Sequence, residues 1–222
     1  MADSDIETKA CTPALLDPNG FNPNAKLPHK LMAEHVGRAM RDYLDFLGFI
    51  NQALRAKKIQ RLESFLMAAN FSSIVGEFMT ATIPKHCKAV VKNNYHNGHP
   101  DLVPAGLFKK DACLHGDQGI EVKASRHLSG WQGHNPEDVW LMVFVFESNS
   151  PRDVALEKPA IPFRFLKVVG AELTKDDWQF SGRSATSRRT ITASVKRSGY
   201  DKMEANWIYR AVRPPSPLVD HK

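Results

Sequence analysis

Residues 139–146 have the sequence VWLMVFVF, in which every residue is apolar. An apolar run of this length indicates a central β-strand that is covered on both faces. Apolar residues at helical spacing predict two helices before it, at about 29–53 and 58–80, and Pro84 is expected to stop the second one. Further strands are expected at residues 87–92, 100–104, 119–124, 163–169 and 190–195. This order predicts an α/β fold, with a mixed central sheet flanked by helices and a helical region at the N-terminus.

The length of 222 residues suits one large domain with short extensions. Residues 1–28 are rich in Pro, Asn and Asp and lack periodicity, so we expect an irregular N-terminal arm. Residues 29–213 are expected to form a single domain. Its parts are a helical region at 29–80, a core at about 85–170 and a basic region at about 181–213. Prolines 214, 215 and 217 predict a disordered tail over residues 214–222.

The charge of the chain is uneven. The net charge is +6, and residues 182–213 contain eight basic residues against two acids, which equals the whole excess. This balance favours a polyanionic partner. In this region Arg and Lys alternate with Ser and Thr, residues that contact phosphates and base edges. The candidate DNA-binding residues are Arg183, Arg188, Arg189, Lys196 and Arg197.

Cysteine use and the N-terminus suggest where the protein works. Cys11, Cys87 and Cys113 are too few for a disulfide framework, and free thiols fit a reducing cytoplasm. The first seven residues are polar and acidic, unlike a secretory signal. The longest apolar run is far shorter than a membrane helix. We therefore expect a cytoplasmic protein with no membrane partner.

Three residues carry the clearest chemical signal. Asp101 follows Pro100 at the end of a polar turn, and Glu121 and Lys123 flank Val122 in a strand-like run. Side chains alternate along a strand, so Glu121 and Lys123 point to the same face while Val122 points to the core. Two carboxylates can hold Mg²⁺ with the Val122 carbonyl, and a lysine can orient water or stabilise charge on a phosphate. This set suits metal-assisted hydrolysis of a phosphodiester.

The Pro-Asp and Glu-Val-Lys elements resemble the PD-(D/E)xK nuclease superfamily, which includes most type II restriction endonucleases. The resemblance covers roughly residues 60–147. It implies a restriction-endonuclease-like fold, Asp101, Glu121 and Lys123 as catalytic residues, and Mg²⁺ held by Asp101, Glu121 and Val122. It also implies cleavage of double-stranded DNA by a homodimer, with a cognate DNA methyltransferase in the host.

Members of the superfamily often use further polar residues near the site. A helix acid before the first core strand corresponds to Glu77 or Glu63, and Glu77 is preferred because it lies nearer Asp101 in sequence. Gln132 is a candidate for orienting water or contacting phosphate. His134 is a candidate proton carrier near neutral pH.

Other interpretations stay open at the level of sequence. The same core would serve a structure-specific or repair nuclease such as a junction resolvase. The acid-lysine pattern would be accidental in a non-catalytic basic DNA-binding protein. A zinc site is also conceivable because six potential ligands lie within thirty residues, although ordinary zinc-ligand spacing is missing. These residues are His86, Cys87, His96, His99, Cys113 and His115.

Overall fold

A computed structural model describes residues 2–133, 135–181 and 192–212. Its helices are α1 (Ala2–Ala10), α2 (Ala33–Ala56), α3 (Leu62–Phe65), α4 (Ala68–His86), α5 (Pro151–Ala155) and α6 (Arg197–Ala205). Its strands are β1 (Val90–Lys92), β2 (Leu102–Pro104), β3 (Ile120–Ser125), β4 (Gln132–Gly133), β5 (Val139–Glu147), β6 (Arg164–Leu173), β7 (Trp178–Ser181), β8 (Thr192–Val195) and β9 (Trp207–Arg210).

Six strands form a mixed central sheet in the order β1-β2-β3-β5-β6-β9. The β3–β5 pair is parallel, with Val122 opposite Met142, and the other neighbours are antiparallel. Strands β4, β8 and β7 form a second, antiparallel sheet. The expected mixed α/β architecture, with helices flanking a central sheet, is therefore confirmed.

Strand β5 is buried on both faces, as its apolar sequence predicted. Met142, Phe144 and Phe146 pack in one core with residues of α2 and α4. Leu141, Val143 and Val145 pack in a second core with residues of β7, β8 and α6. The uninterrupted apolar run follows from this arrangement, because both alternating sets of side chains are removed from water.

The second predicted helix is two helices. Leu66 and Met67 have extended backbone angles, which separates α3 from α4. Pro84 does not stop α4, which continues to His86. A proline near the end of a helix removes only one backbone hydrogen bond, and the N–H of Cys87 still donates to the carbonyl of Ile83 at 3.0 Å. The predicted end at Pro84 was therefore wrong.

The N-terminal arm contains regular structure that the sequence analysis did not predict. Residues 2–10 form helix α1, although they lack an apolar stripe. Ion pairs support it instead, from Lys9 to Asp5 at 2.8 Å and from Glu7 to Arg61 at 2.9 Å. The following residues pack on this chain's own sheet, where the N–H of Asn22 donates to the carbonyl of Ile208 at 3.0 Å.

Among the described residues, no helix has the combination of length and hydrophobicity needed to cross a bilayer. The three cysteines are buried free thiols. The predicted disordered tail at 214–222 lies outside the described residues.

Candidate active site

Asp101, Glu121 and Lys123 lie together on neighbouring strands. Asp101 directly precedes β2, and its Oδ2 accepts a hydrogen bond from the N–H of Val122 in β3 at 2.8 Å. Glu121 and Lys123 lie on one face of β3, and their side chains form an ion pair. The structure thus brings together the three residues selected from the sequence, while their catalytic role remains a prediction.

Asn93 fixes the loop that carries Asp101. Its side-chain NH₂ donates to the carbonyls of Pro100 at 3.0 Å and Cys113 at 2.8 Å. Its side-chain oxygen accepts from the N–H groups of Tyr95 and Cys113, each at 3.0 Å. Its own N–H donates to the carbonyl of Asp101 at 2.9 Å. A single buried amide therefore sets the entry of Asp101 into the sheet.

His99 adds a group that the sequence analysis did not assign to this site. Its Nδ1 lies 3.0 Å from Oε2 of Glu121, and its Nε2 lies 2.9 Å from Oε2 of Glu137. The Nε2 atom is fully buried. It lies within ion-pair distance of Glu137 but makes no hydrogen bond. The Glu121 carboxylate therefore contacts Lys123 at one oxygen and His99 at the other.

The two carboxyl groups of the site have very different pKa values. Burial, followed by repulsion from Glu121, raises the pKa of Asp101 to about 7. Burial also opposes ionisation of Glu121, but hydrogen bonds from His99 and Lys123 outweigh it and lower the pKa of Glu121 to about 2. Burial alone would lower the pKa of Lys123, yet attraction to Glu121 raises it overall. Below about pH 7, a metal-free site thus favours a protonated Asp101 beside an ionised Glu121.

A cleft of about 860 Å³ opens onto Asp101 and Lys123. One wall is the face of α4 that carries residues at helical spacing, including Ser72, Gly76 and Thr80. The opposite wall is β3 and the segment that follows it. The far end is lined by the following residues: Arg126, His127, Gly130, Trp131, Gln132, Ser150 and Arg152. Small side chains on this face of α4 keep the cleft open between the helix and β3.

The two candidate helix acids differ in position. Glu77 lines the cleft, but its carboxylate is largely exposed and pairs with Lys92 at 2.9 Å. Glu63 is fully buried, where it pairs with Arg61 at 2.6 Å and accepts from the Asn51 amide at 3.0 Å. Glu63 therefore serves a structural network outside the cleft, whereas Glu77 lines the cleft and its role in the site stays a prediction.

The remaining candidate residues are only partly described. Gln132 in β4 is exposed and lines the cleft, while Trp131 is buried against Tyr200 with ring centroids 5.6 Å apart. Lys196 is exposed, and Arg197 pairs with Asp201 at 2.9 Å. The following candidates lie outside the described residues: His134, Arg183, Arg188 and Arg189.

The donors at the site fit a hard divalent cation. Two carboxylates and a backbone carbonyl are oxygen ligands of the kind that Mg²⁺ accepts. Burial first, and then the charge of Glu121, raise the pKa of Asp101, and a cation beside both carboxylates would favour its ionised form. Two side-chain ligands fall short of a complete cage, and in the part of the chain that the structure describes no three His, Cys, Asp or Glu side chains form a metal-binding group. Mg²⁺ commonly keeps several waters and takes only one or two carboxylates.

The zinc interpretation finds no supporting geometry in the described residues. The His86 ring pairs with Asp42 at 2.8 Å, and the His99 ring lies between Glu121 and Glu137. Neither ring is therefore turned towards a shared cysteine site.

No protein-family model, curated protein or solved structure matches this chain. The functional proposal therefore rests on the residues of the site and their geometry.

Proposed function

We propose that this chain is a Mg²⁺-dependent endonuclease that hydrolyses phosphodiester bonds of double-stranded DNA, with a restriction-endonuclease-like core. The observation that carries the proposal is the convergence of Asp101, Glu121 and Lys123, of which Asp101 and Lys123 line a cleft. Two carboxylates that can hold a divalent cation, beside a lysine that can stabilise charge on phosphate, suit metal-assisted hydrolysis of a phosphodiester.

The metal would be held by the Asp101 and Glu121 carboxylates and the Val122 carbonyl. When bound, Mg²⁺ supplies an activated water and shields the charge of the phosphate. The protein contributes rigidity, since Asp101 is tied to the N–H of Val122 at 2.8 Å and Glu121 is held at both oxygens. Burial keeps the acids in a site of low dielectric, where their charges act strongly.

Lys123 has two roles in this proposal. Without substrate, its ammonium neutralises Glu121 in a contact that is partly shielded from water. With DNA in the cleft, the same ammonium is placed to orient the attacking water or to stabilise the developing negative charge on the phosphate. Lys123 lines the cleft, so both roles need only a small movement of a flexible side chain.

The basic far end of the cleft supports a path for the DNA backbone. Arg126 is anchored by Asp153 at 3.0 Å. Arg152 is exposed, and within the described part of the chain its guanidinium has no carboxylate partner. Arginines bind phosphate oxygens with planar, paired hydrogen bonds. The basic residues of 181–213 would add further phosphate and base contacts.

The class that this proposal favours is a site-specific type II restriction endonuclease. Cutting both strands at one site needs two active centres, so the working form would be a homodimer on a two-fold symmetric sequence. The enzyme would act in the cytoplasm, and a cognate methyltransferase would protect the host DNA.

The decisive experiment incubates the purified chain, Asp101→Ala and Lys123→Ala with plasmid and phage DNA, in Mg²⁺ and in EDTA. Discrete fragments that need Mg²⁺ and disappear in both variants are expected. Nicking or cutting only at junctions, with the same dependence, would instead assign a structure-specific or repair nuclease. If all three proteins bind DNA without metal and none cleaves it, the chain is a DNA-binding protein and the proposal of an enzyme is rejected.

A further inference from the structure

The His99 imidazole is fixed between two carboxylates. Nδ1 lies 3.0 Å from Glu121 and Nε2 lies 2.9 Å from Glu137, and the side chain is only 19% exposed. Its backbone is also held, because the N–H donates to Leu114 at 3.0 Å and the carbonyl accepts from Gly116 at 2.9 Å. A buried ring whose backbone is held and whose two nitrogens each lie near a carboxylate has little freedom to rotate.

Glu121 gains orientation from this ring. The last torsion of a glutamate side chain is broad when nothing restrains it. In this site Oε1 contacts the Lys123 ammonium and Oε2 contacts His99 Nδ1, so the plane of the carboxylate is set from two sides. If Lys123 turns towards a phosphate, His99 is the contact that still holds Glu121 in place.

We propose that His99 is a positioning residue that donates from Nδ1 to Glu121 and holds this carboxylate in the orientation that binds the divalent cation. Glu137 sets the ring from the far side, and its own backbone is anchored where its carbonyl accepts from Trp178 Nε1 at 2.9 Å. The inference rests on the proposed function, because the cation is the one that the nuclease requires. Loss of a group that orients a metal ligand lowers metal affinity by about 10- to 100-fold.

Three substitutions test the contacts of the two ring nitrogens separately. His99→Ala removes both contacts. His99→Asn keeps a donor where Nδ1 stands, facing Glu121, and His99→Gln keeps a donor where Nε2 stands, facing Glu137. His86→Ala is the matched control, because His86 also pairs with a carboxylate at a similar exposure, but its partner is Asp42, at 2.8 Å, and not Glu121.

Metal binding is measured in two ways on the full chain. The first is the Mg²⁺ concentration that gives half-maximal cleavage. The second is the rise in unfolding temperature with added Mg²⁺, which reports binding without requiring cleavage. Unfolding temperature and DNA binding in EDTA show that each variant is folded.

The expected result is a metal affinity about 10- to 100-fold weaker for His99→Ala and His99→Gln, with most of the affinity retained in His99→Asn and in His86→Ala. Equal losses in all three His99 variants, or no loss in any, would overturn the assignment. So would a larger loss for Glu137→Gln than for His99→Ala, or no response of the wild-type chain to Mg²⁺. Metal binding that depends on His99 in a chain that cuts no DNA would retain this inference and reject the nuclease.

Discussion

Asp101 and Val122 are joined across neighbouring strands, with the Asp101 carboxylate accepting from the Val122 N–H at 2.8 Å. This bond holds one acid against the strand that carries the other acid and the lysine. The carboxylate consequently lies beside Glu121, whose charge adds to burial in raising the pKa of Asp101 to about 7. The proximity that suits a cation therefore destabilises the metal-free protein at alkaline pH.

Asp101→Asn is expected to stabilise the metal-free protein above about pH 7. The folded pKa of Asp101 lies above the usual value of 3.8. As pH rises from about 4 to 7, the unfolded chain loses this proton while the folded chain keeps it, so stability falls across that window. Asp101→Asn has no carboxyl group to ionise at this position, so its stability does not fall for this reason. Each pKa unit corresponds to about 1.4 kcal/mol, so a gain on the order of 1 kcal/mol or more is expected at pH 8.

Urea unfolding in EDTA at pH 4 and pH 8 measures the difference. Asp5→Asn is the control, since Asp5 is exposed and distant in sequence from the site. Added Mg²⁺ should reverse the order of stability by stabilising the wild-type chain alone. A stability difference between variant and wild type that does not change with pH would contradict the assignment.

Arg152→Ala is expected to weaken DNA binding in EDTA and to lower the salt dependence of binding. One lost phosphate contact reduces the slope of log affinity against log salt by about 1. Arg41→Ala is the matched control, because Arg41 is an exposed arginine of α2 that does not line the cleft. Equal salt slopes for the two variants would exclude the cleft as the path of the backbone.

Asn93→Ala is expected to destabilise the fold by about 2–4 kcal/mol, because it leaves several buried backbone groups without partners. Cleavage should fall as well, since the loop positions Asp101. Asn94→Ala serves as the control: its amide makes one exposed bond, to Lys110 at 2.9 Å, and should cost about 1 kcal/mol or less. Chemical unfolding provides both numbers, and similar costs for the two variants would contradict the role of Asn93.

Glu63→Ala should destabilise the protein by about 3–5 kcal/mol, because it leaves Arg61 as a buried charge with one partner fewer. The fraction of Glu63→Ala that remains folded should show the wild-type dependence of cleavage on Mg²⁺. Glu147→Ala is the control, since it breaks the more exposed pair with Arg164 and should cost about 0–1 kcal/mol. If the dependence of cleavage on Mg²⁺ changes in Glu63→Ala and not in Glu147→Ala, Glu63 takes part in metal binding after all.

Local patterns predicted the central strand and the cluster of three residues. The apolar run of β5 and the alternation around Val122 are periodic features, so neighbours in sequence carry the information. The sequence left His99 only as one of six conceivable zinc ligands, because nothing local indicates its partners Glu121 and Glu137.

Other features depended on contacts between distant segments. Glu63 is separated by the fold from Glu77, although both lie before the first core strand, because Asn51 and Arg61 hold Glu63 in a buried network. Helix α1 forms without an apolar stripe, supported by a pairing between Glu7 and Arg61. Such long-range ion pairs leave no periodic signal in the sequence.

The contact of the N-terminal segment with β9 has a consequence for handling the protein. Asn22 bonds the carbonyl of Ile208, and the Asp17 N–H donates to the hydroxyl of Tyr209 at 3.0 Å. Strand β9 lies at one border of the central sheet, where unpaired backbone groups would invite pairing with another molecule. Residues 17–22 thus cover this edge of the sheet, and their removal would favour self-association.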